Sequence, residues 1–249
     1  FIAFTFGETI LKFIKSVRPV ETKREKEYIL PLFDEVYEKA KSVYPELPEI
    51  KPYIVDSMSV NLFAVGSHTV AITKGALEVL SEEELQGMIL HEFAHIKNGN
   101  TKAELLNKIG NGFIAVVVIV INALFLIFDI FFRDLGDEDL KHTSGLFRAL
   151  FFFIRFSVNT FMFVLLFVGN VILSGNSRKN EFTADKFAYD LGYGESLKNA
   201  LYLVQKISLS SKTNLIEKMQ QKHPRVSKRI EKLEEMEDSD IHTNPYPLN

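Results

Sequence analysis

SEEELQGMILHEFAHIKNGN, residues 81–100 of a 249-residue chain, reads as one helix with a marked start, a chemical face and a marked stop. Ser81 with Glu84 three residues on is a capping box, in which each residue satisfies a backbone N–H near the other. Leu85, Met88 and Ile89 follow at helical spacing, and Asn98-Gly99 ends the run. Inside it lies His91-Glu92-Phe93-Ala94-His95, an H-E-x-x-H pattern. Residues four apart share one face of a helix, so both imidazoles can reach a single metal ion while Glu92 sits beside them near a metal-bound water. The competing reading is an ordinary charged helix whose histidines face solvent or are satisfied in a core. Chance produces the pattern in roughly one chain in a hundred of this size, and here it comes with its own helix signals.

Outward from this helix the texture changes on both sides. Upstream, residues 1–17 place Phe6, Ile10, Phe13, Ile14 and Val17 at helical spacing with Glu8, Lys12 and Lys15 between them, which predicts an amphipathic helix or the end of a truncated membrane helix. Residues 24–44 predict another helix, built on Ile29, Leu32, Phe33, Val36, Ala40 and Val43 and stopped by Pro45, Pro48 and Pro52. From Tyr53 to Thr73, two or three short strands are expected around a Gly66-Ser67 break. Downstream, Thr101 with Glu104 starts a further helix, and residues 112–132 are almost continuously apolar, interrupted by Asn122 and Asp129. A run of some 20 apolar residues is what a membrane-spanning helix needs. After a charged loop at 133–148, residues 156–173 form a second candidate span, with Arg155 placed to snorkel at its outer end. A buried hairpin in a soluble core is the alternative, and helices this long and uniformly apolar argue against it. The chain then returns to soluble character, with helices expected from about Glu181 to Leu191, over 195–208 and over 224–237, and a disordered tail.

The bulk numbers exclude several classes of function. The net charge of -3 lacks the basic excess that a general nucleic-acid binder needs, so no nucleic-acid partner is expected. With no cysteine there is no disulfide framework, no thiolate ligand and no cysteine nucleophile. A mean hydropathy of +0.06 averages the apolar middle against the charged flanks. The chain opens on Phe1 rather than Met, as a fragment would, and any upstream signal or anchor lies outside the sequence.

A catalytic zinc uses three protein ligands and leaves a fourth position for water. Two histidines do not complete it, and Ser177-Arg178-Lys179-Asn180-Glu181-Phe182-Thr183-Ala184-Asp185 offers the third ligand. In a glutamate-zincin that ligand is a helical Glu, and an Asp four residues later accepts a hydrogen bond from the first zinc histidine. Glu181 and Asp185 have that spacing, which assigns Glu181 to the metal and Asp185 to the tautomer of His91. Two spans between residues 95 and 181 return the chain to the side it left, so both halves of the site can meet.

Four pieces in order then resemble the HtpX-like membrane zinc peptidases, relatives of the CAAX prenyl proteases. They are Asn61-Leu62-Phe63-Ala64-Val65-Gly66, His91 to Gly99, Ser177 to Asp185, and His223-Pro224 followed by Arg229-Ile230, within residues 18–233. The resemblance implies a mainly α fold with a small β-sheet, a zincin-like (gluzincin) domain interrupted by a transmembrane helical hairpin. The divisions expected are 1–17, an amphipathic or truncated membrane helix; 18–110 and 174–237, the two halves of the peptidase domain; 111–173, the hairpin; and 238–249, the tail. It further implies that Asn61, Leu62, Phe63 and Ala64 take the substrate backbone as an added strand, that His223 helps hold the oxyanion, and that Arg229 is an internal salt-bridge partner. This chain departs from the pattern at Leu62, where a small residue is usual, at Asn100, where an Asp commonly stands, and at Arg225-Val226, which replace small hydroxyl residues. Those departures bear on subfamily and substrate more than on the chemistry.

The expected activity is that of a zinc endopeptidase with one Zn²⁺ per chain, held by His91, His95 and Glu181, with Glu92 as general base. The implied partners are polypeptides, damaged or misassembled membrane proteins among them, and the lipid bilayer; nothing in the sequence speaks to oligomeric state. Lys97, Lys102, Lys108, Arg178, Lys179 and Lys186 flank the catalytic ends of the spans, whereas Arg133, Lys141 and Arg148 are offset by Asp134, Asp137, Glu138 and Asp139. The positive-inside rule therefore puts the site at the cytoplasmic face of the cell's inner membrane, in a multi-pass chain. Two rivals remain. A CAAX-type prenyl protease would need more spans than the two visible here, and a non-catalytic membrane scaffold or pseudo-peptidase would have no need of Glu92.

Overall fold

The structure, a computed structural model, describes residues 16–134, 141–210 and 226–243. It falls into two compact units, one formed by residues 1–105 and 176–249 and the other by residues 106–175.

The first unit is built round a four-stranded sheet. Its strands are β1 (Val17–Pro19), β2 (Lys51–Val55), β3 (Leu62–Val65) and β4 (Thr69–Thr73), in the order β1-β2-β4-β3. β2 and β4 run parallel, with Lys51 opposite Thr69 and Val55 opposite Thr73, and the two outer pairs are antiparallel. Every residue of the inner strand β4 is buried. Val17 was expected at the end of a helix and instead opens the edge strand β1, where Arg18 donates to Glu25 and Asp56. Residues 1–15, the body of that expected helix, lie outside the described residues.

Helix α1 (Lys23–Val43) starts at a capping box of Thr22 and Glu25 and buries Ile29, Leu32, Phe33, Val36 and Ala40 of the stripe read from the sequence, while Val43, its last member, is exposed. β4 passes straight into α2 (Lys74–Val79), a turn of helix that the sequence reading did not separate. Thr73 joins the two: its hydroxyl accepts from Ala76 N as an N-cap and donates to Asn61 O, which extends the β3–β4 pairing. Helix α3 (Glu82–Lys97) has the Ser81–Glu84 capping box and is buried continuously from Leu85 to Ile96. A helix buried on every side is the centre of its domain. Phe93, an unspecified position of the H-E-x-x-H pattern, is fully buried with its ring 5.2 Å from Phe33 in an edge-to-face contact.

The rest of this unit comes from the C-terminal half. Helix α4 (Asn100–Asp134) leaves it, and the end of α5 (Lys141–Ala188) returns to it. A π-type turn at Tyr189–Tyr193 then redirects the chain into α6 (Gly194–Ser210). α6 packs tightly on α3 at Gly87, where an added Cβ would stand 2.9 Å from the backbone nitrogen of Leu197. The last described helix, α7 (Val226–Thr243), packs on α6 through an ion pair between Lys198 and Glu237 and a hydrogen bond from Tyr202 to Glu234. It runs six residues past the 237 end expected from sequence.

The second unit is the paired apolar part of α4 and α5. Asn100–Ile130 and Ala149–Gly169 are each long and apolar enough to cross a membrane. Phe128 stacks on Phe151 with ring centroids 3.9 Å apart, while Phe113, Ile119, Phe152 and Phe163 face outward. The sequence reading differs in detail. It expected a loop over 133–148, whereas α5 begins at Lys141, and it gave Arg155 a snorkelling role. The Arg155 Nε instead donates to Asn122 Oδ1 at 2.9 Å, and the Asn122 amide donates to Asn159. Polar side chains among apolar neighbours find each other because neither lipid nor a phenyl ring offers a partner.

Candidate metal centre

α3 presents His91, Glu92 and His95 toward the edge strand β3 and the end of α5. The helical four-residue step brings the two rings edge to face, with centroids 4.7 Å apart and Nε2 atoms 3.1 Å apart. Glu181, at the returning end of α5, brings Oε2 to 3.4 Å from His91 Nε2 and Oε1 to 3.4 Å from His95 Nε2. Among the described residues these three side chains are the group whose ligand atoms converge closely enough to hold a metal ion. Ligand atoms on a tetrahedral zinc with bonds of about 2.0–2.2 Å stand about 3.3–3.6 Å apart. The triangle of the two rings and the Glu181 carboxylate has sides of 3.1, 3.4 and 3.4 Å, the last two to different carboxylate oxygens, close to that spacing, and two imidazoles with one carboxylate are a donor set that zinc takes.

Behind the triangle is a buried ionic layer. Asp185, one helical turn after Glu181, lies 2.9 Å from His91 Nδ1 and is 1% exposed. Arg229, from the first turn of α7, reaches in to donate through Nε and Nη2 to both oxygens of Asp185, and its Nη1 lies 3.2 Å from Glu181 Oε2. Burial pushes the Asp185 carboxyl up, but the bond from His91 and the Arg229 charge more than offset it and hold the carboxyl below its ordinary value. Burial and Arg229 likewise favour a neutral His91. The carboxylates of Asp185 and Glu181 outweigh them and raise the ring to about 9.

Glu92 is 4% exposed, and its Oε2 accepts from the backbone N–H of Ala64 at 2.8 Å. That bond gives the sheet its part in the site. Asn61 turns its backbone toward β4, where its carbonyl accepts from Thr73 N and its N–H donates to the Thr73 hydroxyl. Alternation along an antiparallel edge then turns Leu62 and Ala64 outward. Of the four residues expected to meet a substrate, Leu62 and Ala64 thus have backbone groups facing away from the sheet, and the Ala64 N–H is already on Glu92. Leu62 buries its side chain, so its size is accommodated in the core. His223 lies outside the described residues. The contact from Ala64 was not legible in the sequence, because a backbone amide leaves no residue-type signal.

This arrangement has relatives. The model of peptidase family M48 matches residues 23–237. The Protease HtpX homolog of Fusobacterium nucleatum is 27% identical over 77% of this chain and 64% of its own length, so the chain spans less than two thirds of that protein. Protease HtpX of Tolumonas auensis is 28% identical over 94% of this chain and 84% of its own. Among solved structures, Ste24p of S. mikatae superposes with a TM-score of 0.51 at 19% identity, over 93% of this chain and 54% of that one, a likeness of fold. The extent of the family match, across both halves of the site, shows that the chain belongs to peptidase family M48.

Proposed function

We propose that this chain is a membrane-bound zinc endopeptidase that hydrolyses peptide bonds of misfolded or membrane proteins, with one zinc per chain held by His91, His95 and Glu181. The observation that carries this reading is the convergence of His91 Nε2, His95 Nε2 and the Glu181 carboxylate, 3.1 to 3.4 Å apart, with the Glu92 carboxylate on the same helix as the two histidines. When bound, the zinc supplies Lewis acidity, which acidifies water and polarises a carbonyl.

The chain's own residues do the rest. Glu92 takes the proton from the attacking water and delivers it to the leaving amine, so one carboxylate serves both halves of the reaction. Ala64 N–H holds one Glu92 oxygen in place and leaves the other for the proton. Asp185 accepts from His91 Nδ1, which keeps Nε2 of that ring available as a ligand, and Arg229 neutralises the carboxylates behind the site. The outward edge of β3 receives an extended peptide, and an unfolded or unpaired segment is the substrate that can adopt that form.

Membrane attachment is supported by the two apolar helices and by the HtpX relatives. The lysines and arginines at 97–108 and 178–186 support a site at the cytoplasmic surface. Casein hydrolysis by the detergent-purified chain, with zinc and with chelator, tests the reading. Zinc-dependent cleavage abolished by Glu92→Gln is expected; undiminished cleavage by that variant would reject it.

A further inference from the structure

A histidine that binds metal through Nε2 carries its hydrogen on Nδ1, and that N–H needs an acceptor to fix the ring. For His91 the acceptor is Asp185. For His95 the neighbour is Asn100, whose side-chain amide lies 3.1 Å from Nδ1. The nitrogen and oxygen of an amide exchange places on a half-turn and are distinguished only by the bonds they make. The same position therefore offers Oδ1 to an Nδ1–H. We propose that Asn100 is the positioning residue of His95, accepting from Nδ1–H and holding Nε2 toward His91 and Glu181; this rests on the zinc reading above.

The backbone explains how a residue five positions along reaches the ring. On an unbroken helix that step ends about 140° round the axis, on another face. Here α3 closes at Asn98, whose N–H bonds to Ala94 O, and Gly99 takes a left-handed φ of +69°. α4 then starts at Asn100, which the reversal swings back beneath His95. Nothing lies within 4 Å of a Cβ placed on Gly99, so its backbone angle rather than space is the reason for glycine there.

The test measures zinc release rather than catalysis. The whole chain is purified in detergent, carrying Glu92→Gln to prevent self-cleavage, loaded with one equivalent of zinc and mixed with a colorimetric chelator. Asn100→Leu, which keeps the bulk and removes the acceptor, is expected to release zinc about 10-fold faster than the parent. Asn100→Asp, a stronger acceptor of the same shape, is expected to release it more slowly. Release from Asn100→Leu at the parental rate overturns the proposal. So does Asn100→Asp at or above the parental rate, which is what a purely helix-capping role predicts, since Asp caps as well as Asn. If the leucine variant fails to fold, the aspartate variant decides alone. A parent that takes up no zinc overturns the metal reading itself, and the Asn100 proposal with it.

Discussion

Glu92 and Arg229 are both buried charges at the same centre, yet their removal has different consequences. On the proposed mechanism, Glu92→Gln keeps the shape and the acceptor for Ala64 N–H but removes the base, so turnover should fall by about 10²–10⁴-fold with zinc content unchanged. Peptide hydrolysis measured beside metal analysis checks both halves of that statement. Arg229→Met leaves Asp185 buried beside Glu181 with its cation gone, and loss of one partner of a buried pair costs about 3–5 kcal/mol. The variant should melt well below the parent, with or without added zinc; an unchanged melting temperature would show that the guanidinium is not what holds that layer together. At this scale the sequence was informative wherever spacing is set by a helix: His91 to His95 and Glu181 to Asp185 are each one turn apart. It was silent on Ala64, whose contribution is a backbone amide, and it offered no geometry for Arg229, which is brought in from a separate helix 44 residues beyond Asp185.

At the scale of elements, the contact of α3 with α6 depends on the missing side chain at position 87. Gly87→Ala would place a Cβ 2.9 Å from Leu197 N, against backbone that cannot swing aside, and overpacking of this kind costs about 1–3 kcal/mol. A lower melting temperature is expected, with zinc affinity falling too because α3 carries both histidines. A second prediction concerns β1. Arg18 bonds to Glu25 and Asp56 at once, tying the edge strand to the start of α1 and the end of β2. Its hydrogen bond lowers the Glu25 carboxyl from 4.5 to about 2. A depressed carboxyl stabilises the fold fully above its unfolded value, and the gain is lost as pH falls from about 4.5 through about 2. Melting curves of Arg18→Met should therefore fall less steeply across that window than those of the parent. α3 was legible because a cap and an apolar stripe coincide in it, and α1 because its apolar stripe ends at a run of prolines. β1 and α2 were not, since three-residue strands and single helical turns carry too little periodicity to separate from their neighbours.

At the scale of the whole molecule, the peptidase halves are written in two separated stretches, and what lies between them is a pair of apolar helices. Asn122, Asn159 and Arg155 form the polar contact of that pair, and in lipid such a bond contributes about 0.6–2 kcal/mol to helix association. Asn122→Leu should loosen the pair, seen as faster hydrogen exchange in the middle of both helices while the zinc content of the peptidase unit is unchanged. Composition alone separated the two apolar stretches from the rest, because a bilayer demands length and uniform apolarity. It did not give where each helix begins, because α4 already starts at Asn100 and α5, from Lys141 to Ala188, continues well past its apolar segment on both sides.

The central claim is that three side chains from two distant stretches bind one metal ion, and metal analysis tests it most directly. Elemental mass spectrometry of the purified chain should find close to one zinc per molecule, and Glu181→Ala, at equal protein concentration and after the same dialysis, should retain little or none. Full zinc in the alanine variant, held with parental affinity, would contradict the assignment of the triangle.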